Sequence, residues 1–290
     1  MMTTQIQTTA LSVNGLTKTY RTGRALDDAS FSLPQGAIAA LVGANGSGKS
    51  TLLSLLAGLL APDAGTVSVF GDDLGAGTHT HPRVAFLAQR RPLYADMTVR
   101  DNLRIVGALN DRWNDDRARE VLDKGRIRLD AKVRTLSEGQ RALVGAALAL
   151  SREPDLLLLD EPLAGLDPLA REDLLRILMA DVADRGTTLL MSAHVLSDLE
   201  AICDHLVLLE DGCVRLCGGI DDLLADHQFL VGANDVTGPV PAEAVVDERR
   251  TDRQATLLVR GETDAAGWDV ERPSLEALVI GYLRAGRERS

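Results

Sequence analysis

Gly43-Ala44-Asn45-Gly46-Ser47-Gly48-Lys49-Ser50 fits the pattern G-x-x-x-x-G-K-[ST]. It follows an apolar run, Ala37 to Val42, and opens a leucine-rich stretch, Ser50 to Leu60. That context of strand, loop and helix is what a phosphate-binding loop requires. Glycines permit backbone torsions closed to other residues, so successive N–H groups and a helix N-terminus can converge on phosphate oxygens. Lys49 is expected to reach the β- and γ-phosphates of a nucleoside triphosphate, and the Ser50 hydroxyl to ligate Mg²⁺. A second candidate follows Leu156 to Leu159, an apolar strand that ends in Asp160-Glu161. Buried parallel strands read this way, and their C-terminal ends carry ligands in α/β sheets. Asp160 is expected at the metal. Glu161, one step further on, is expected to orient or deprotonate the attacking water.

The elements that must position these groups alternate. Thr9 to Ser32 alternates apolar and polar residues, which suits antiparallel strands. Strand-like runs at Val84 to Ala88, Asp155 to Leu159, Thr187 to Met191 and Leu206 to Glu210 interleave with helical patterns at Pro168 to Asp184 and Leu196 to Cys203. Alternation of that kind implies a parallel sheet with crossover helices. From Arg91 to Leu150 the chain turns charged and helix-periodic, with helices expected over Val99 to Trp113 and Asp115 to Leu129: a helical insertion. Beyond His227 the composition shifts again. Ala244 to Asp247 and Ala255 to Val259 read as strands around Arg250 to Arg253, and Leu275 to Leu283 as an amphipathic helix.

The chain of 290 residues carries 31 Lys+Arg against 42 Asp+Glu, a formal net charge of −11. Nucleic-acid binding needs a basic face, so no nucleic-acid partner is expected. No apolar run approaches the ~20 residues of a spanning helix. The polar start, Met1 to Thr9, lacks signal-peptide character. Cys203, Cys213 and Cys217 form no C-x-x-C pair and suit thiols in a reducing compartment. His79 and His81 supply too few ligands for a metal site, and are expected at the surface.

The motifs, in this order, resemble the ATP-binding subunits of ATP-binding cassette (ABC) transporters, from about Leu11 to Leu224. Leu136-Ser137-Glu138-Gly139-Gln140 is similar to the family signature, whose third residue is usually Gly. Gln89 resembles the Q-loop, Ala164-Gly165-Leu166-Asp167 the D-loop, and His194 the switch histidine. Tyr20 stands where the family stacks an aromatic ring on adenine. The resemblance implies an α/β fold, the P-loop NTPase ABC cassette: a mixed sheet core, an antiparallel β subdomain and a helical insertion at about 91–150. That domain would span 9–225, with a small α+β appendage at 226–290. It implies ATP and Mg²⁺ as ligands, with ATPase activity. Glu161, His194 and Gln89 would be catalytic. Tyr20, Gly43, Asn45, Gly46, Ser47, Gly48, Lys49, Ser50, Thr51, Ser137, Gly139 and Asp167 would bind nucleotide, and Ser50, Gln89 and Asp160 would hold the metal. Ser137 and Gly139 would act in trans, in a head-to-tail dimer with a second copy or a paralogous ATPase. Glu138, repelled by phosphate, is expected to point away from it. A separate transmembrane permease would dock by Gln89 and the insertion, which places the chain on the cytoplasmic face of the membrane. The stretch Leu93 to Leu103 and the tail around Pro273-Ser274-Leu275-Glu276 resemble the exporter and drug-efflux group. A regulator that drives a membrane partner without transport remains the alternative.

Overall fold

The computed structural model describes residues 8–75, 77–193, 196, 199–234, 240–261, 263, 265 and 267–289. β1 (Thr9–Tyr20) and β2 (Gly23–Pro34) pair antiparallel. With β4 (Ala64–Val69) and β5 (Asp72–Asp73) they form a four-stranded sheet in the order β2-β1-β4-β5. The central sheet has six strands: β10 (Cys213–Gly219), β9 (His205–Glu210), β3 (Ile38–Val42), β8 (Thr188–Ala193), β7 (Leu156–Leu159) and β6 (Val84–Leu87), adjacent in that order. From β9 to β6 the pairing is parallel, and β10 closes the edge antiparallel. The expected mixed sheet and antiparallel subdomain are both present.

α1 (Lys49–Leu56) packs between the two sheets. Its leucines Leu52, Leu53 and Leu56 are fully buried against Leu41, Leu158 and Leu209, and so form one face of the core. The other face is covered by the helical insertion and by α5 (Pro168–Arg185). In the insertion, Thr98 and Asp101 form a capping box that starts α2 (Val99–Ala108). Asn114 caps α3 (Asp115–Lys124), and a capping box of Ser137 and Gln140 starts α4 (Glu138–Leu150). These caps satisfy first-turn N–H groups that have no partner inside the helix. α2 and α3 stop short of the lengths their periodicity predicts. Asn110 Nδ2 donates to the Val106 carbonyl at 2.6 Å, and the Trp113 indole folds back over Gly107. At the end of α3, Gly125 leaves room for Leu143 of α4.

The described residues between Leu196 and Cys203 also depart from the expected helix. They make successive turns, closed by Leu199 N–H to Leu196 O and Cys203 N–H to Leu199 O. Asp204 then locks the chain to the start of β3, exchanging bonds with the backbone of Ile38.

Beyond α6 (Ile220–Ala225), the tail forms a four-stranded antiparallel sheet. Its order is β12 (Val245–Arg250), β13 (Gln254–Arg260), β11 (His227–Ala233), β14 (Asp269–Glu271), followed by α7 (Leu275–Arg289). One face of this sheet buries Leu230, Leu257, Val259 and Trp268. Leu258 and the α7 residues Leu275, Leu278 and Val279 instead join the large core beneath the central sheet. Among the described residues, no helix is long and apolar enough to cross a membrane.

Candidate functional site

Strand register brings the site together. Leu87 lies beside Leu159, Leu159 beside Met191, and Val42 beside Ala193. One or two residues further along each strand stand Gln89, Asp160-Glu161, Ser192 and the loop from Gly43. The C-terminal ends of adjacent parallel strands are where such sheets hold ligands.

The loop from Gly43 to Gly48 is fixed by close backbone approaches. A Cβ on Gly43 would lie 2.1 Å from the Leu209 carbonyl oxygen, and one on Gly48 2.4 Å from that of Ala25. Gly48 also adopts φ 106, a conformation other residues avoid. Lys49 is 5% exposed and donates to the carbonyls of Gly43 and Ala44 at 2.8 and 3.0 Å. Burial lowers its pKa, while the carboxylates of Glu161 and Asp160 work in the opposite direction. The buried Ser47 hydroxyl has no hydrogen-bond partner among the described residues. A buried polar atom of that kind needs an acceptor or donor from outside, and a phosphate oxygen suits it. Asn45, Gly46 and Ser50 are exposed along the same loop, with Thr51 half-buried in the first turn of α1.

Asp160 and Glu161 are 5% and 8% exposed. Glu161 has φ 47, a left-handed backbone that is strained for a residue with a Cβ. Its N–H donates to Ser192 Oγ at 2.8 Å, and that hydroxyl donates to Asp160 Oδ1 at 2.9 Å. The Gln89 amide Nε2 donates to Glu161 Oε2 at 2.7 Å. Ser192 therefore ties the Asp160 carboxylate to the backbone of Glu161, a role that the motifs did not assign. Its signal was a hydroxyl following three apolar residues in Thr188–Ala193, the strand beside Asp160. Ser50, Asp160 and the carbonyl side of Gln89 offer a hydroxyl, a carboxylate and an amide oxygen. This is a hard-oxygen donor set, of the kind that suits Mg²⁺.

The remaining predicted residues lie apart from that cluster or serve additional purposes. Tyr20 ends β1, 41% exposed. Ser137 accepts from Gln140 N–H at 3.2 Å, which leaves its hydroxyl hydrogen free to donate elsewhere. Gly139 packs its bare Cα against Ala170, where a Cβ would come within 2.7 Å. Asp167 caps α5, accepting from Ala170 N–H at 3.0 Å. Glu138 is turned to Arg91, with an ion pair of 2.7 Å. His194 lies outside the described residues.

A family model for the ABC transporter matches residues 26–164. The Nod factor export ATP-binding protein I of Ralstonia nicotianae is 37% identical over 240 residues, covering 80% of this chain and 73% of that protein. The chain belongs to the ATP-binding subunits of ABC transporters. The protein of the same name from Mesorhizobium japonicum is 35% identical over 226 residues, covering 76% of this chain and 66% of that one. A solved ATP-binding subunit of an ABC transporter superposes with a TM-score of 0.67 at 31% identity, over 74% of this chain and 92% of that one. The chain is an ATP-binding, ATP-hydrolysing subunit of an ABC system, and its fold is the ABC cassette.

Proposed function

We propose that this subunit powers export through a separately encoded permease, from the cytoplasmic face of the membrane. Two copies, or this chain and a paralogue, close head to tail over two ATP molecules. The observation that carries the site assignment is the convergence of Lys49, Asp160, Glu161 and Gln89 at the ends of adjacent parallel strands. The export direction is supported by the names of its relatives, Nod factor export ATP-binding proteins.

The loop amides from Gly43 to Ser50 and the Ser47 hydroxyl surround the triphosphate. Lys49 releases its loop carbonyls and turns to the β- and γ-phosphates, while Tyr20 stacks on the adenine. Ser50, Asp160 and Gln89 hold Mg²⁺, which would neutralise phosphate charge when bound. Glu161, kept in place by Gln89 and by Ser192 through its backbone, takes a proton from the attacking water. His194, by resemblance, senses the γ-phosphate. The partner protomer's signature turn completes the site, with the Ser137 hydroxyl and the Gly139 N–H at the N-terminus of α4 directed to the γ-phosphate. Asp167 and its turn face the other protomer.

A groove of about 280 Å³ runs between β6 and the helical insertion, lined by Leu59, Phe86, Leu87, Leu93, Val106 and Leu148. It is mainly apolar, begins just past Gln89, and is the seat for the permease. Closure moves the groove and switches the permease between inward- and outward-facing states; hydrolysis resets it. Residues 226–290 form an accessory unit that regulates the cassette or extends the dimer contact. The test is reconstitution of the subunit with its neighbouring permeases in proteoliposomes. Export predicts ATP-dependent movement of cargo out of the compartment holding the subunit, and ATPase turnover that changes with the permease present. A subunit that binds none of these permeases, and whose turnover none of them alters, contradicts the proposal.

A further inference from the structure

Arg91 stands two residues beyond Gln89, where the chain leaves the central sheet for the helical insertion. Its backbone sits at φ 43, in the left-handed region that disfavours a residue with a side chain. The side chain is 6% exposed. Nη1 donates to Glu138 Oε1 at 2.7 Å, and Nη2 donates to the Pro162 carbonyl at 2.6 Å. Burial lowers the pKa of the guanidinium, and the Glu138 carboxylate opposes that effect.

The two acceptors belong to different parts of the machine. Glu138 is the first residue of α4, between Ser137 and Gly139. Pro162 follows Glu161 directly in the chain. The planar guanidinium fork spans both, which a single ammonium does not. Gly145 of α4 lies alongside: a Cβ there would crowd Leu87 at 2.9 Å and meet the Arg91 stem at 3.8 Å, an ordinary contact. That stem also lines the groove beside β6. One buried side chain thus touches the groove, the signature turn and the residue next to the hydrolytic carboxylate.

We propose that Arg91 is a positioning residue for hydrolysis. Acting through Pro162, it fixes the turn that presents Glu161. Acting through Glu138, it holds a carboxylate, which stands where the family usually has glycine, away from the phosphate that Ser137 and Gly139 receive. The proposal rests on the head-to-tail arrangement given above. The two tasks have separate kinetic consequences. Without Arg91, the half-exposed Glu138 carboxylate keeps only its longer ion pair to Arg141, 3.5 Å away on the same helix, so it can swing toward a triphosphate and repel it, which weakens ATP engagement. Without the bond to Pro162, the strained turn at Glu161 loosens, which slows the chemical step.

The experiment is steady-state ATPase kinetics on the purified full chain, with Arg91→Met, Arg91→Lys, and Arg91→Met combined with Glu138→Gly. Arg91→Met is expected to raise KM for ATP about tenfold and lower kcat about tenfold. In the double variant, KM returns to within about twofold of the parent because the repelling carboxylate is gone, while kcat stays low. A purely structural role would instead depress the double variant further in both parameters. Arg91→Lys keeps the charge but not the fork: KM stays near the parent and kcat falls, so the test survives if Arg91→Met does not fold. Parent-like kcat in the Arg91 variants, or a double variant whose KM stays raised, overturns the proposal. Lys49→Ala, run alongside, separates the two failures. If it abolishes ATP turnover while the Arg91 variants behave as the parent, the site assignment stands and only the role of Arg91 falls.

Discussion

Replacing Ser192 with alanine removes one hydroxyl that makes two buried hydrogen bonds. The side chain is 1% exposed; it accepts from Glu161 N–H at 2.8 Å and donates to Asp160 Oδ1 at 2.9 Å. An orphaned buried N–H costs about 1–3 kcal/mol, and a lost bond to a charged group about 1.5–3 kcal/mol. Both losses share one atom and their surroundings relax together, so their sum is an upper bound, and we expect about 3 kcal/mol. With a denaturant slope of roughly 2 kcal/mol/M, the urea midpoint would fall by about 1.5 M. The functional effect is separable. The Glu161 N–H to Ser192 bond is part of what holds the backbone at φ 47. A residue held in that region stores on the order of 1–3 kcal/mol of strain, which the freed turn would release by moving the carboxylate. Misplacement by about 1 Å is worth roughly 10²-fold in rate, so kcat should fall to about one hundredth of the parent's. The phosphate loop is untouched, and metal-free ATP affinity by titration calorimetry should stay within about threefold. A variant with the parent's urea midpoint and the parent's kcat would refute the role of Ser192 as the link between the Asp160 carboxylate and the backbone of Glu161.

Lys49→Ala removes the charge directed at the β- and γ-phosphates; calorimetry should show ATP affinity weakened at least about tenfold in a protein with an unchanged circular dichroism spectrum. His227 is fully buried between the Leu223 carbonyl and the Tyr282 hydroxyl, with Asp226 and Arg260 nearby, and burial holds its pKa below the usual 6.5. The unfolded chain therefore binds a proton that the folded chain refuses, so stability is lost as pH falls through about 6.5. Urea midpoints at pH 7.5 and 5.5 should differ less for His227→Gln than for the parent, and equal drops in both would rule out His227 as the source. A chain ending at Ala225 is expected to retain ATP binding. Its melting temperature should fall by several degrees, because Leu275, Leu278 and Val279 no longer cover the main core.

The parts of the site that were legible in the sequence are those local in the chain. The phosphate loop is eight consecutive residues, and Asp160-Glu161 closes a run of four leucines, so spacing and strand context suffice to read them. The alternation of strands and helices likewise revealed the central sheet, because a four-residue apolar run such as Leu156–Leu159 has few other uses. What stayed hidden depends on pairs far apart in sequence. Ser192 meets Glu161 across 31 residues, and Arg91 meets Pro162 across 71. Those partners are set by the register of β7 against β8 and by how the insertion folds back, neither of which a local pattern encodes. Helix ends were misjudged for a similar reason. Periodicity ran α2 on to Trp113, but a tertiary fold-back of that indole onto Gly107 stops it at Ala108. Gly139, read as a nucleotide contact, also has a packing duty against Ala170 that no local pattern encodes.

The proposed function depends most on ATP closing two copies of this chain over a site where Glu161 performs hydrolysis. Sedimentation velocity on Glu161→Gln, with and without Mg-ATP, tests both halves at once. The substitution keeps the shape of the side chain and removes its basicity, so ATP binds and is not consumed. The expected result is a monomer without nucleotide and a stable dimer with Mg-ATP, while Lys49→Ala stays monomeric in both. A Glu161→Gln chain that remains monomeric at saturating Mg-ATP, or that turns ATP over at the parent's rate, would contradict it.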